Sequence, residues 1–460
     1  MEGWLSMHGH HTWLPKPMVV LSALLGGIAH IVPAYADWLV FIFLLPLFTT
    51  AYTVSVSAYD GLWWGIIFFS MLLSGVVWLV MEYAAAWQGI ILSSLLIVYC
   101  ALYSATWFWI ATVVSTRLLS PMQWWRIVCW IGATIAYFCA LDLILLKIIG
   151  LPRGYVFASP LVPLAHHSAW LVCLSWLSSY GALALLVTNS ALFSAWLVYA
   201  RSGYFFVACC CMVPFLYGWI SPPRNHIPNF NQMIVCAIPP DEQCLQHPLD
   251  AAQEIQRCIT QACVSQPMAM CVCFPESTYP FPLSEYPHVL KVWQENAPHD
   301  CTVLMCCHDV VDNNLTNKLI LMREGRIIQS YDKKIYFPFV EYIPYPWQSI
   351  SWVKRLFLEN KRTFRQTELC RPLMQLTPTL TVAPYICADL FFGYPDCDEG
   401  ACPILWLVND SWFSCRYLRH TLFLFAKLQA CMHKRPIIYV GHDFGAWIDV
   451  TGGYTLLPRA

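Results

Sequence analysis

The sequence has little charge for its length. Only 12% of its 460 residues are Asp, Glu, Lys or Arg, whereas a soluble protein of this size would carry about 25%. The shortage is concentrated in residues 1–221, while residues 222–460 have an ordinary globular mixture of side chains. This imbalance excludes a single soluble domain. It predicts a membrane region followed by one sizeable globular domain.

Other features are also missing. The net charge is −1, so the chain has no basic excess that would favour a nucleic-acid partner. No internal repeat or low-complexity tract is visible, and no Cys or His spacing resembles a zinc knuckle or ribbon. We therefore predict no metal, no cofactor and no nucleic acid among the ligands of this protein.

Long hydrophobic runs fill the first half of the chain. A membrane helix needs about 20 apolar residues, and most of the runs reach that length. The first run could instead belong to a cleaved signal peptide, but Lys16 is the only basic residue before it and no clear small-residue cleavage site follows. We therefore count about seven spans, near residues 18–33, 38–58, 62–81, 89–115, 126–149, 168–198 and 203–221.

The basic residues between these runs predict an orientation. With the N-terminus in the cytoplasm, the inner loops hold four basic residues and the outer loops two; these are Lys16, Arg117, Arg126 and Arg201 inside, and Lys147 and Arg153 outside. Lys and Arg are enriched in cytoplasmic loops. Seven spans then place the globular domain outside the cytoplasm.

The chain has 22 cysteines, of which seven lie in the first half and fifteen after it. Outside the cytoplasm such thiols could form disulfides. We interpret most of them as small buried hydrophobic side chains instead. An enzyme with a free nucleophilic thiol would be at risk from wrong pairing.

The second half alternates strand-like runs with amphipathic stretches, a pattern typical of α/β layers. Residues 319–322 and 326–330 flank Arg-Glu-Gly-Arg, a hairpin signal. The predicted strands cover residues 233–238, 268–274, 302–307, 319–322, 326–330, 401–408, 436–441 and 446–450. The predicted helices cover residues 249–263, 284–295 and 417–432.

Three chemically active side chains each end a separate strand-like run. Glu276 closes Met270–Glu276, Lys333 closes Arg326–Lys333, and Cys387 closes an apolar run from Val382. A thiol that attacks, a carboxylate that takes its proton and an ammonium that stabilises the oxyanion make one nucleophilic site. Each residue alone has an ordinary structural explanation, as a turn, a solvated face or a core thiol.

These residues lie in sequence motifs that resemble the nitrilase, or carbon–nitrogen hydrolase, superfamily. Within that superfamily the chain most resembles the apolipoprotein N-acyltransferases, which carry a similar block of spans before the catalytic domain. The Tyr-x-Lys register of the family selects Lys333 over its neighbour Lys334. The matching motifs are Phe274-Pro-Glu276-Ser, Tyr331-Asp-Lys333-Lys-Ile-Tyr-Phe-Pro-Phe-Val-Glu341-Tyr-Ile-Pro344, Ile386-Cys387 and Asn409-Asp-Ser-Trp-Phe413.

The resemblance implies a fold and roles for the residues. The expected fold is a membrane α-helical bundle of about seven spans in residues 1–221, followed by a nitrilase-type α-β-β-α sandwich in residues 222–460. Glu276 is then the general base, Lys333 the oxyanion stabiliser and Cys387 the nucleophile. The supporting residues are Glu341, Asp389, Asn409 and Trp412.

The resemblance also implies a reaction and a location. Cys387 takes an acyl chain from a phospholipid as a thioester and passes it to the amino group of a lipoprotein or another amine acceptor. The protein is then expected in the bacterial inner membrane, as a multi-pass protein with its catalytic domain on the periplasmic side.

Several positions depart from the acyltransferase pattern. Ala388 and Asp389 replace a Tyr-Glu pair after the nucleophile, and Val340 replaces a loop glycine. We expect the first change to open space beside Cys387 and to slow transfer to ordinary diacylated lipoproteins. Two alternatives remain open: a paralogue of the conjugal-transfer type, with a different acceptor or an amidase activity, and a catalytically idle membrane scaffold.

Overall fold

The computed structural model describes most of the chain. The described residues are 15–75, 86–118, 123–143, 158–220, 234–237, 246–296, 301–312, 314–337, 341–343, 347–351, 364, 371–392, 402–413 and 415–460. The chain divides into two compact units. The first is Met1–Cys139 with Ala158–Ile220 and Phe413–Thr421, and the second is Ala140–Phe157 with Ser221–Trp412 and Leu422–Ala460.

The first half of the chain is helical. Its described α-helices are α1 (Pro17–Ile31), α2 (Pro33–Ala36), α3 (Leu45–Thr53), α4 (Ala58–Leu72), α5 (Ala86–Val113), α6 (Gln123–Leu143), α7 (Leu161–Leu164), α8 (Ser168–Leu171), α9 (Ser179–Tyr199) and α10 (Ser202–Ile220). Short 3₁₀ turns cover Asp37–Phe41 and Val172–Ser175, and a π turn covers Val114–Leu118.

Glycines allow the helices of this unit to pack closely. A Cβ added at Gly26 of α1 would lie 2.7 Å from a ring carbon of Phe43, and one at Gly65 of α4 would lie 2.6 Å from the Cα of Ala101. Close approach at small residues is typical of membrane helix packing, where van der Waals contact drives association. The helices therefore form a packed bundle.

Five helical segments of the described residues are long and apolar enough to cross a membrane. They are Pro33–Thr53, Ser93–Thr116, Gln123–Leu141, Ser179–Tyr199 and Ser202–Ile220. Many large apolar side chains on them are exposed, including Leu95, Trp109, Phe206 and Val213. Together these helices suggest a membrane protein. The first predicted span is a shorter apolar helix, α1, and the predicted span 62–81 runs beyond the described residues.

One predicted span differs from the observed helix. We expected a continuous stretch over residues 168–198, but the chain makes two short turns before α9 begins at Ser179. Ser178 causes the break, because its hydroxyl accepts the Gly181 amide at 3.2 Å as an N-cap. The apolar side chains before Ser178 conceal this helix start in the sequence.

The second unit contains two six-stranded sheets. Their strands are β1 (Ile234–Cys236), β2 (Cys271–Cys273), β3 (Tyr279–Pro282), β4 (Thr302–Val311), β5 (Asn314–Arg323), β6 (Arg326–Asp332), β7 (Met374–Thr377), β8 (Leu380–Ile386), β9 (Ile404–Leu407), β10 (Ile437–Val440), β11 (Gly445–Ile448) and β12 (Tyr454–Leu456). The first sheet has the order β1-β2-β4-β5-β6, with β3 pairing β4. The second runs β12-β11-β10-β9-β8-β7.

The two sheets share one hydrophobic core. Alternate side chains of the strands point into it, such as Leu304 and Leu319 from the first sheet and Leu405 and Ile438 from the second. Four thiols fill part of this core, those of Cys236, Cys271, Cys273 and Cys306. Their burial agrees with the interpretation of most cysteines as small hydrophobic side chains.

Helices cover the outer faces of both sheets. The helices of this half are α11 (Pro248–Ser265), α12 (His288–Glu295), α13 (Ala388–Phe392) and α14 (Arg416–His433). Ile255 of α11 and Trp293 of α12 pack with Val303 behind the first sheet. Behind the second sheet, the ring of Phe425 in α14 lies 5.8 Å from that of Trp406. The central strands β2, β9 and β10 are thus buried on both faces, which explains their continuous apolar sequences.

Most predicted elements of this half are present, with shifted ends. Three short strands have no counterpart in the sequence-based prediction: β3, β7 and β12. They contain Pro, Thr and Gln, and each is only three or four residues long. Two of them, β7 and β12, are the edge strands of the second sheet. An edge strand pairs with only one other strand, so its sequence has a weaker hydrophobic pattern.

Candidate active site

The predicted nucleophile Cys387 and the predicted site residues Glu276 and Lys333 all lie just after the ends of strands. Strands β8 and β9 are parallel, so Cys387 after β8 and Asn409 after β9 emerge at one edge. The Cys387 amide donates to the Leu407 carbonyl at 2.8 Å. Glu276 follows β2 and Lys333 follows β6, whose partner strand β5 contributes Asn317. The Lys333 amide donates to the Asn317 carbonyl at 2.8 Å.

The Glu276 carboxylate is buried and fully engaged by donors. Glu276 is only 4% exposed. Oε1 accepts from Lys333 Nζ at 2.7 Å and from Asn317 Nδ2 at 2.9 Å, and Oε2 accepts from the Asn409 amide at 3.1 Å. These contacts fix both oxygens, so the carboxylate has one orientation towards the thiol.

Lys333 lies between two carboxylates and is 1% exposed. Its Nζ donates to Glu276 and also to Glu341, at 2.8 Å from Oε1 and 3.0 Å from Oε2. Burial by itself would lower the pKa of Lys333, but the negative charges of Glu276 and Glu341 outweigh it and raise the pKa well above its usual value. Lys333 is therefore a permanent cation in the site.

Glu341 holds the lysine from the other side. Its Oε2 accepts the Phe337 amide at 2.6 Å, which ties the carboxylate to the segment after Lys333. Burial raises the pKa of Glu341, the Lys333 charge opposes that shift, and the nearby Glu276 charge adds to it. Glu276 and Glu341 thus both bind the Lys333 ammonium, and Glu341 helps to hold Lys333 in place.

Cys387 occupies a strained turn between β8 and α13. Its φ is +41°, a conformation that is unfavourable for a residue with a Cβ. The Cys387 carbonyl accepts from Trp406 Nε1 at 2.9 Å, which helps to hold the turn. Both the Glu276 carboxylate and the Lys333 ammonium act on the pKa of the thiol, so the three groups lie close together. This turn projects the Cys387 side chain from the end of β8.

The electrostatics keep the resting thiol protonated. Burial and the Glu276 charge raise the pKa of Cys387 well above its usual value, while the Lys333 charge opposes the rise. A protonated thiol beside a fixed carboxylate can transfer its proton as sulfur attacks an acyl carbon. The adjacent cation can stabilise the negative charge that forms on the acyl oxygen.

The structure places the supporting residues in different ways. Glu341 contacts Lys333, and Asn409 acts through its backbone amide while its side chain accepts from Ser411 Oγ at 2.6 Å. Trp412 belongs to the turn Asp410–Trp412, and its side chain lies outside the described part, as does Val340. Asp389 is buried below the nucleophile turn.

Ala388 and Asp389 do not line an open space beside Cys387, contrary to the prediction from the sequence. Ala388 and Asp389 are both buried in the interior, and the Asp389 carboxylate accepts four hydrogen bonds from the protein itself. The first turn of α13 directs both side chains inward, so a shortened carboxylate here does not face an incoming amine. The sequence could not show this because it gives no direction for the turn.

Sequence reasoning missed two residues of the site. Asn317 donates to Glu276, and the Tyr336 hydroxyl accepts the Asn317 amide at 3.2 Å. The Tyr336 ring also lies 5.5 Å from Lys333 Nζ, within range of a cation–π contact. The sequence carried no clear signal for Asn317, because Thr316 and Lys318 flank it and a polar Thr-Asn-Lys stretch gives no sign that the amide is buried.

Comparisons with known proteins give a limited likeness. No family model and no curated protein matches the chain. Among solved structures, the glutamine-dependent NAD⁺ synthetase of Acinetobacter baumannii is 12% identical, and the match covers 49% of this chain and 43% of the synthetase. A CN-hydrolase superfamily protein of Xanthomonas campestris is 13% identical over 49% of this chain and 86% of that chain.

A carbon–nitrogen hydrolase of Helicobacter pylori is 11% identical, over 48% of this chain and 82% of that chain. The TM-score is 0.35 for all three structures. The structural neighbours thus include carbon–nitrogen hydrolase superfamily members, at low identity and partial coverage.

Proposed function

We propose that the protein is a membrane-bound acyltransferase of the nitrilase superfamily. In this proposal it moves a fatty acyl group from a phospholipid, through a thioester on Cys387, to an amine acceptor such as a lipoprotein N-terminus. The observation that carries the proposal is the grouping of Cys387 with Glu276 and Lys333, in which the buried carboxylate binds the ammonium at 2.7 Å and both charges act on the pKa of the thiol.

In the first half-reaction, sulfur attacks the ester carbonyl carbon while Glu276 takes the thiol proton. Lys333 stabilises the oxyanion. The ester C–O bond then breaks, Glu276 returns the proton to the leaving alkoxide, and a lysophospholipid departs. In the second half-reaction, the amine attacks the thioester carbon and Glu276 accepts the amine proton. As the C–S bond breaks, Glu276 passes this proton to the sulfur, which restores the Cys387 thiol and the carboxylate. Each half-reaction balances without a cofactor.

The wider architecture belongs to the same proposal. About seven spans in residues 1–221 would hold a lipid donor and a lipid-modified acceptor in the bilayer, and residues 222–460 would form a nitrilase-type α-β-β-α sandwich. Two sheets with a common core and helices on their outer faces support the sandwich. The apolar helices support the membrane location.

The assay is incubation of the purified protein in detergent with phospholipid, followed by a diacylated lipopeptide. We expect one equivalent of lysophospholipid per protein without acceptor, and continued release with N-acylated peptide once acceptor is added. Continued release of free fatty acid without acceptor would favour the hydrolase or amidase alternative. Absence of any lysophospholipid would favour the idle scaffold and contradict the proposal.

The proposed location is the bacterial inner membrane, with the catalytic domain on the periplasmic side. The basic residues of the loops support this orientation. A reporter that is active only in the periplasm, fused after Ala460, should give a signal. A signal from a cytoplasm-only reporter at the same position would contradict the orientation and the lipoprotein acceptor.

A further inference from the structure

One buried carboxylate links the two halves of the candidate active site. Asp389 is 0% exposed and follows Cys387 by two residues. Its Oδ1 accepts the amides of Lys334 at 3.0 Å and Ile335 at 2.7 Å. Its Oδ2 accepts the Tyr331 hydroxyl at 2.7 Å and the Ile386 amide at 3.1 Å. All four donors come from segments that flank catalytic residues.

The positions of these donors indicate the structural role of the Asp389 carboxylate. Tyr331, Lys334 and Ile335 lie on both sides of Lys333, which follows β6 of the first sheet. Ile386 directly precedes Cys387, which follows β8 of the second sheet. A single side chain therefore connects the backbone around the cation to the backbone around the nucleophile. The strained φ of Cys387 persists only when its surroundings hold it, and the bond to the Ile386 amide is part of that hold.

Two further side chains hold the carboxylate. The Tyr331 hydroxyl donates to Asp389 and accepts from Arg371, at 3.4 Å from Nε and 3.3 Å from Nη2. The Arg371 guanidinium also stacks on the Tyr385 ring, 3.6 Å from its centroid. Burial raises the pKa of Asp389, and the Arg371 charge and the Tyr331 bond oppose that shift.

We propose that Asp389 is a positioning residue that fixes Lys333 relative to Cys387, with Tyr331 and Arg371 holding its carboxylate. The proposal rests on the acyl-transfer site described above. Without Asp389 the ammonium remains bound to Glu276 and Glu341 but moves away from the sulfur. A displacement of about 1 Å can reduce a rate by about 100-fold, so we expect a fall in kcat of about 10–100-fold with little change in KM.

The test is alkylation of Cys387 by iodoacetamide as a function of pH, in wild type, Asp389→Asn and Tyr331→Phe. An amide at position 389 would turn an NH₂ group towards backbone amides that need an acceptor, so Asn breaks the link. Tyr331→Phe removes one hydroxyl and keeps the fold intact. Lys333 opposes the rise in the pKa of Cys387, so its displacement should raise that pKa further and move the alkylation profile to higher pH.

We expect a large move in Asp389→Asn and a smaller one in Tyr331→Phe. The matched control is Asp449→Asn, another buried carboxylate, which accepts from Thr451 and Gly453 in a turn of the same domain. It should lower stability and leave the profile in place.

Three outcomes would overturn the positioning role. An unchanged profile in both variants would mean that Asp389 only stabilises the fold. A move to lower pH would mean that its negative charge acts on the sulfur directly. An equal shift of the alkylation profile in Asp449→Asn would mean that loss of any buried carboxylate loosens the whole domain. Alkylation needs no acyl donor, so this result is separate from any failure of the lipid assay.

Discussion

Cys387→Ala is expected to abolish turnover and every covalent acyl adduct, because no other group in the site can hold the acyl chain. Cys387→Ser should lose most of the activity, since a hydroxyl is far less acidic than a thiol. Both variants should fold, because the side chain is small and only partly buried. The measurement is lysophospholipid release from a defined phospholipid.

The matched control for this prediction is Cys402→Ala. Cys402 is also a partly buried thiol of the same domain and lies just before β9. Its backbone carbonyl accepts a hydrogen bond from Arg435 Nε at 2.9 Å. The control should keep nearly full activity. Full activity in Cys387→Ala would instead show that the nucleophile is a different cysteine.

Glu276→Gln and Lys333→Ala should both inactivate the enzyme, for different reasons. An amide at position 276 cannot accept the thiol proton, and its NH₂ group would meet a donor at Lys333 or at the Asn409 amide. Acyl-enzyme formation should collapse. Lys333→Ala removes the oxyanion donor, and losses of such donors reduce rates by about 10²–10³.

The Lys333 variant should also be less stable. It leaves Glu276 and Glu341 close together without a cation, and loss of one partner of a buried ion pair destabilises by about 3–5 kcal/mol. Activity must therefore be measured well below the unfolding temperature of each variant.

The matched control is Lys334→Ala, at the adjacent position. Lys334 contributes its backbone amide to Asp389, and alanine retains that amide. We expect a mild effect. An inactive Lys334 variant together with an active Lys333 variant would show that the neighbouring lysine supplies the charge.

The sequence identified Glu276, Lys333 and Cys387 because each of them ends a strand-like run. Glu276 and Cys387 follow apolar runs that form the buried strands β2 and β8, whereas Lys333 follows the more polar and exposed strand β6. Their assembly depends on pairing between distant segments, and the motif resemblance supplied what the local pattern lacked. The structure brings all three together in the second unit.

The connections between the reacting groups were not visible in the sequence. Asn317 is 41 residues from Glu276, and Asp389 is 58 residues from Tyr331. Such contacts depend on strand register and on the direction of short turns, neither of which has a local sequence signal. The sequence therefore identified Asp389 as a supporting residue but assigned it to the wrong surroundings.

Intact mass spectrometry of the protein purified from membranes with added phospholipid tests whether Cys387 carries an acyl group. We expect a mass increase of one fatty-acyl group, located on the peptide that contains Cys387, removed by neutral hydroxylamine and missing from Cys387→Ala. A protein that stays unmodified with phospholipid present, or an acyl adduct that persists in Cys387→Ala, would contradict this expectation.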